Sequence, residues 1–128
     1  MVAQITQGVK VTVKTQYESG YSNPTNQHFM FSYEILIENM GDHTVQLLRR
    51  EWRIFDSAGN WRTVEGEGVV GQQPILNPGE THKYVSGCNL NSGIGKMTGK
   101  YSMKRIVDGH VFEVSIPEFQ LICPAVMN

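Results

Sequence analysis

One segment of the chain has a spacing that could bind a phosphate. Its glycines, Gly66, Gly68 and Gly71, fit the pattern G-x-G-x-x-G that dinucleotide-binding proteins use for a pyrophosphate. In those proteins a helix follows and its N-terminus receives the anion, but here residues 72–74 are Gln-Gln-Pro, so no useful helix can begin. The glycine amides could still form an anion-binding nest with Arg53 or Arg62 nearby. The simpler interpretation is a tight bend, because glycine is the usual residue where the backbone needs a positive φ.

Metal and cofactor chemistry has no comparable signal. The chain contains four scattered histidines and two cysteines, without an H-x-H pair, an H-E-x-x-H motif or a C-x-x-C motif. We therefore predict no metal site and no cofactor, and we expect both cysteines to be free thiols. These residues are His28, His43, His82, His110, Cys88 and Cys123.

Catalysis is not indicated either. The chain has no G-x-S-x-G elbow and no P-loop. Its glutamates occupy the polar, solvent-facing positions of alternating strand segments or lie in the glycine bend. Exposure to solvent is enough to explain a carboxylate at either kind of position. We predict a non-enzyme, although a site assembled from residues distant in sequence stays open.

Two further features favour binding. Trp61 follows the turn Gly59-Asn60, and exposed aromatic residues at turns often anchor partners, so Trp61 is a candidate partner-binding residue; a half-buried strand residue is the alternative. Lys96, Lys100 and Lys104 share one strand face, which predicts a solvated surface or a basic strip for a phosphorylated partner.

The elements that must position these residues are strands. Apolar and polar residues alternate with a period of two, as in Val9, Val11 and Val13, and turn residues interrupt the alternation repeatedly. Asp108-Gly109 between two such runs is a strong hairpin signal. We predict an all-β antiparallel sandwich of seven to eight strands, one domain over residues 1–128, and no substantial helix.

Two positions complicate the strand pattern. In the strand predicted at 45–56, Leu48, Trp52 and Ile54 share a face with Arg50, which places Arg50 near a sheet margin or requires a bulge around it. We assign Trp52 to the core. Pro117 lacks an amide hydrogen, so it predicts a bulge or break before a last short strand at 119–123.

Length and charge narrow the function classes. A chain of 128 residues suits one domain, and eleven Lys and Arg residues against twelve Asp and Glu residues give no field that would attract nucleic acid. The N-terminus has no secretory pattern and no apolar run is long enough for a membrane span. We expect a cytoplasmic protein that binds neither membranes nor, in general, nucleic acid.

Five ordered pieces of the chain carry a resemblance to the bacterial ApaG family over nearly its whole length. One small departure from the family pattern is Val85, where the family often has Thr. The pieces are REWRIFD at 50–56, VEGEGVVGQQPILNPGE at 64–80, YVSG at 84–87, GKMTGKY at 95–101 and IPEF at 116–119.

The resemblance implies an immunoglobulin-like or fibronectin type III-like sandwich without established catalytic residues. It also implies an association with cobalt and magnesium tolerance. Similar domains occur in some F-box proteins, which is typical of an interaction module, although this step is analogy. Two hypotheses follow: a protein-interaction module, which leads, and a binder of a phosphate-containing small molecule, pyrophosphate or a nucleotide, at the bend 66–71.

Overall fold

The computed structural model describes residues 1–127, and these form two packed antiparallel sheets. Strands make up most of the described residues. The helices are three short 3-10 helices, at Ser19–Tyr21, Pro24–Asn26 and Pro124–Met127. No helix within residues 1–127 is long and apolar enough to cross a membrane. The strands are β1 (Val2–Thr6), β2 (Val9–Tyr17), β3 (Phe29–Asn39), β4 (Val45–Asp56), β5 (Asn60–Glu67), β6 (Ile75–Leu76), β7 (Thr81–Leu90), β8 (Ile94–Arg105) and β9 (Val111–Ile122). The predicted all-β sandwich is confirmed.

The order of the strands decides which edges lie together. The first sheet has the order β1-β2-β3-β7, and the second has the order β5-β4-β8-β9, with β6 pairing a further part of β4. Strands β1 and β2 pack against β9 on one side of the sandwich. On the other side, the edge strands β5 and β7 lie together, since an Arg62 side chain on β5 bonds to the β7 backbone.

Residues 1–127 contain nine strands, so the predicted seven to eight is too low. Strand β1 was not predicted; it pairs with β2 through a turn in which Gln7 and Gly8 have φ angles of 48° and 81°. The two-residue β6 is too short to show an alternation. The bulge predicted at Pro117 is confirmed, since Pro117 and Glu118 lie opposite Thr98 alone, and the last strand predicted at 119–123 is the continuation of β9.

Aromatic side chains from both sheets form the centre of the core. Trp52 is only 2% exposed, which confirms its assignment, and its ring lies 5.4 Å from that of Tyr33 and 5.8 Å from that of Phe119. The hydroxyl groups of Tyr84 and Tyr101 bond to each other across the sheets. Burial raises the pKa of both tyrosines. They are therefore neutral partners that satisfy each other inside the core.

A bulge in β4 changes the predicted register. The pairing of β4 with β8 shifts between Leu47 and Arg49, so Leu48 is the extra residue. Leu47 is fully buried, and Leu48 is not part of the core. Leu47 rather than Leu48 therefore supplies the fully buried residue before the bulge, and Arg50 points to the inner side, where it lines a cleft with Trp52. The bulge was expected around Arg50 and lies just before it.

Candidate functional site

The outer face of the second sheet carries an aromatic pair beside two cations. Trp61 at the start of β5 pairs in register with Phe55 of β4, and their ring centroids are 5.0 Å apart. The Arg53 guanidinium carbon lies 4.9 Å from the Trp61 ring centroid, and Lys96 Nζ lies 5.8 Å from it. We call Arg53, Phe55, Trp61 and Lys96 the outer patch.

Strand alternation explains why this patch faces solvent. Trp52 and Ile54 point into the core, so Arg53 and Phe55 between and after them must point outward. Trp61 is a residue of β5 that is 51% exposed, so it is half-buried in the strand and also accessible to a partner. Half of a large indole is therefore open to a partner, and the cations hold it in place.

Two of the three lysines of β8, Lys96 and Lys100, are paired with carboxylates, and Lys104 is not paired with a described carboxylate. Lys96 pairs with Glu118 at 3.5 Å, and Lys100 pairs with Glu113 at 2.7 Å and with Glu51 at 3.6 Å. Hydrogen bonding to Glu113 raises the pKa of Lys100. By contrast, Arg53 forms no ion pair with any described carboxylate. The solvated-face interpretation therefore suits Lys96 and Lys100, and Arg53 keeps its charge available.

A cleft of about 340 Å³ opens between the edge strands β5 and β7. We call it the edge cleft. Its apolar floor is formed by core residues that include Trp52 and Met97. Its polar lining consists of Tyr33, Arg50, Arg62, Ser86, Cys88 and Asn89. Two cations thus share one concave site, and neither pairs with a described carboxylate.

Arg62 spans the cleft from β5 to β7. Its Nη2 donates to the Asn89 carbonyl oxygen at 2.6 Å and to Cys88 Sγ at 3.4 Å. Burial raises the pKa of the Cys88 thiol, although the Arg62 charge acts in the opposite direction. Cys88 therefore stays a neutral thiol at physiological pH and does not neutralise the arginine.

Arg50 connects the cleft to the glycine bend. Its Nη1 donates to the carbonyl oxygens of Glu67 and Gly68 at 3.0 and 2.9 Å. A Cβ atom on Gly66 would lie 2.9 Å from the Arg50 guanidinium nitrogens, so glycine leaves the space that this side chain needs. Sequence reasoning placed Arg50 on the inner face and assigned it no role. The sequence signal for this position was that Arg50 lies two residues before the buried Trp52 and therefore on the same face of β4.

The bend itself is closed by backbone hydrogen bonds. The Gly68 amide donates to the Leu48 carbonyl oxygen, and the Val69 amide donates to the Gln72 carbonyl oxygen, both at 2.8 Å. Gly68 and Gly71 have φ angles of 63° and 76°, which is the positive φ expected of a bend. The amides of Gly68 and Val69 therefore already have partners inside the protein.

The arginines proposed for the glycine bend lie apart. Arg53 points to the outer face of the second sheet, beside Trp61, whereas Arg62 lines the edge cleft on the inner side. The sequence therefore grouped residues that the structure divides between two surfaces. Arg62 shares the edge cleft with Arg50 instead, and Arg50 carries the connection to Gly66 and Gly68.

Asp56 links two turns at the end of the sandwich near the cleft. It is 3% exposed and accepts hydrogen bonds from the Ser92 hydroxyl at 2.6 Å, the Asn91 amide at 2.7 Å and the Ala58 amide at 3.0 Å. Burial acts to raise the pKa of Asp56, but these bonds and the charge of Arg62 outweigh it, so the pKa lies below its ordinary value. Asp56 is therefore a charged tie between the β4–β5 and β7–β8 turns. Elsewhere in the described residues, no group of three or more His, Cys, Asp or Glu side chains could hold a metal ion.

Comparison with known proteins gives a consistent family. A family model for the ApaG domain matches residues 19–105. The chain is 44% identical over 124 residues to Protein ApaG of Paramagnetospirillum magneticum, covering 97% of this chain and 95% of that protein. It is 45% identical over 121 residues to Protein ApaG of Methylobacterium radiotolerans, covering 94% and 92%.

A solved structure agrees with these sequences. The crystal structure of the ApaA protein from Bordetella pertussis matches with a TM-score of 0.87 and 43% identity, covering 91% of this chain and 94% of that chain. The resemblance seen in the five sequence pieces is confirmed. On the family match and on these full-length relatives, the chain belongs to the ApaG domain family.

Proposed function

We propose that the protein is a non-catalytic protein-interaction module that docks a partner on the outer patch. The observation that carries the proposal is the half-exposed Trp61 with Arg53 stacked on its ring at 4.9 Å. Trp and Arg are the residue types most enriched among binding hot spots. Here they form one preassembled unit, so a partner would not have to order either side chain.

Charge indicates the kind of segment that fits this patch. Arg53 has no described carboxylate partner, whereas Lys96 beside it pairs with Glu118. A partner segment that offers a carboxylate beside an apolar side chain would pair with Arg53 and cover the open side of Trp61. We therefore propose an acidic, partly apolar protein segment as the occupant.

The non-catalytic part of the proposal is supported by four groups outside the edge cleft whose pKa values are shifted. The buried tyrosines bond to each other, Asp56 ties two turns together, and Asp108 pairs with Arg105 in the β8–β9 turn. Each has a structural partner that explains its shift. In this proposal, a contribution to cobalt or magnesium tolerance would be made through the bound partner.

The experiment selects peptides from a random 12-residue phage library on the wild-type protein and measures their affinity by calorimetry. We expect the selected peptides to combine Asp or Glu with apolar residues. Trp61→Ala and Arg53→Gln should each weaken binding at least about tenfold, or 1.4 kcal/mol. Val85→Ala is the matched control, because Val85 is a 58% exposed apolar residue on β7 of the other sheet.

Two results would contradict the proposal. One is the absence of any peptide that binds more tightly than about 100 μM, the range of weak but specific recognition. The other is a set of peptides whose affinity falls with Val85→Ala as much as with Trp61→Ala.

A further inference from the structure

The edge cleft carries positive charge that the fold does not use up. Arg50 and Arg62 both line it, and neither forms an ion pair with a described carboxylate. No Asp or Glu residue lines the cleft. The Cys88 thiol, kept protonated by burial, adds no negative charge. Two guanidinium groups therefore face the cleft, and the buried Asp56 carboxylate, whose pKa the Arg62 charge helps to lower, lies outside its lining.

Each guanidinium still has donors to offer. A guanidinium carries five N–H groups. Arg50 uses Nη1 on the carbonyl oxygens of Glu67 and Gly68, and Arg62 uses Nη2 on Asn89 and Cys88. These backbone bonds fix the two side chains in place, so the remaining donors need little further ordering to bind an anion.

Neutral polar groups complete the lining. Ser86 and Asn89 of β7 and the Tyr33 hydroxyl face the same space as the arginines. Burial raises the pKa of Tyr33, against the effects of a hydrogen bond with Ser86 and of the Arg50 charge, so its hydroxyl stays a neutral donor. A planar guanidinium matches the oxygens of a phosphate group better than the point charge of a lysine ammonium group does.

We propose that the edge cleft is a binding site for a small phosphate-class oxyanion, with Arg50 and Arg62 as its cationic ligands. The volume of about 340 Å³ lies at the lower end of the range for small-molecule sites. The site differs from the glycine bend, where the amides of Gly68 and Val69 are already bonded. It also lies on the opposite face of the second sheet from the outer patch, so it does not depend on the proposed function.

The test is a titration of the ¹⁵N-labelled protein with inorganic phosphate, pyrophosphate and acetate at constant ionic strength. We expect phosphate and pyrophosphate to give saturable amide shifts in residues 62–64 and 86–89, and acetate to bind more weakly. Arg62→Gln should weaken phosphate binding at least tenfold. Arg53→Gln is the matched control; it removes one positive charge from the outer face and should change the affinity less than twofold.

The variants must be compared as folded proteins, so each amide spectrum is checked for the dispersion of the wild type. Arg62→Lys provides a milder second variant that keeps the charge and loses the planar fork, and it should weaken phosphate binding about threefold to tenfold. Three results would overturn the proposal. They are no saturable shift up to about 10 mM phosphate or pyrophosphate, equal weakening by Arg62→Gln and Arg53→Gln, and shifts confined to residues 66–71.

Discussion

Arg62 Nη2 lies 2.6 Å from the Asn89 carbonyl oxygen and thereby joins the edge strands of the two sheets. Hydrogen bonds to charged donors contribute about 1.5 to 3 kcal/mol, so we expect Arg62→Ala to lower the free energy of unfolding by about that amount. Arg53→Ala removes an arginine from the outer face and should cost about 1 kcal/mol or less. Urea denaturation measures both. Equal losses would show that the bridge across the cleft adds nothing.

The glycine bend offers a matched pair of substitutions. Gly68 and Gly71 both have positive φ angles, but a Cβ atom on Gly68 would overlap the Gln72 carbonyl oxygen, whereas none of the surroundings of Gly71 lies within 4 Å of such an atom. We expect Gly71→Ala to cost about 1 kcal/mol from backbone strain alone. Gly68→Ala should cost at least about 2 kcal/mol, because the backbone must also move. If the chemical denaturation curves of the two variants coincide, the predicted overlap of the Gly68 Cβ atom with the Gln72 carbonyl oxygen is contradicted.

Truncation of the two tryptophans should lower the free energy of unfolding by very different amounts. Trp52 is 2% exposed and packs against Tyr33 and Phe119, so Trp52→Ala should cost about 3 to 5 kcal/mol. Trp61 is 51% exposed, and Trp61→Ala should cost no more than about 1 kcal/mol. Both values come from chemical denaturation. A loss below about 1 kcal/mol for Trp52→Ala would show that the strand register is wrong.

Asp56 predicts a dependence of stability on pH. Its pKa in the folded protein is below the value of about 3.9 for a free aspartate. The ionised carboxylate therefore stabilises the fold fully above pH 4 to 5, and this contribution is lost as the pH falls through the lower folded pKa.

The corresponding experiment compares wild type with Asp56→Asn in urea at several pH values. At pH 7 the variant should be less stable by about 1.5 to 3 kcal/mol, because it loses charge-assisted bonds. The difference should shrink between pH 5 and pH 2. Asp42→Asn, in an exposed turn, should change stability at pH 7 by less than about 0.5 kcal/mol. A difference for Asp56→Asn that stays constant over this range would refute the role of its charge.

Local signals in the sequence predicted most of the fold. The Asp108-Gly109 turn is confirmed, with Gly109 at a φ of 72° and Arg105 bonded to Asp108 at 2.6 Å across the turn. The strand β1 was missed because its turn is Gln7-Gly8, and glutamine seldom adopts the positive φ of 48° found there. The prediction placed the bulge around Arg50 and not at Leu48, because the core side of β4 carries apolar residues with the bulge at either position.

The two candidate surfaces differ in how far the sequence reveals them. Trp61 was found because the residues before it form a turn, which is a local feature. The edge cleft was not found, since it requires β5 and β7 to become edge strands of different sheets on the same side of the sandwich. Alternation within one strand shows which way Arg62 points, but it cannot show which strand lies opposite.

The pairing of β3 with β7 has an expected consequence for the timing of folding during protein synthesis. Phe29 of β3 pairs with Leu90 of β7, and strands of the other sheet are made between them. During synthesis, the edge of β3 that does not pair with β2 therefore stays uncovered until β7 has been made. Contacts this distant in sequence are typical of proteins that fold in milliseconds to seconds. We expect the nascent chain to become protease-resistant only after β9, which completes the second sheet, has left the exit tunnel.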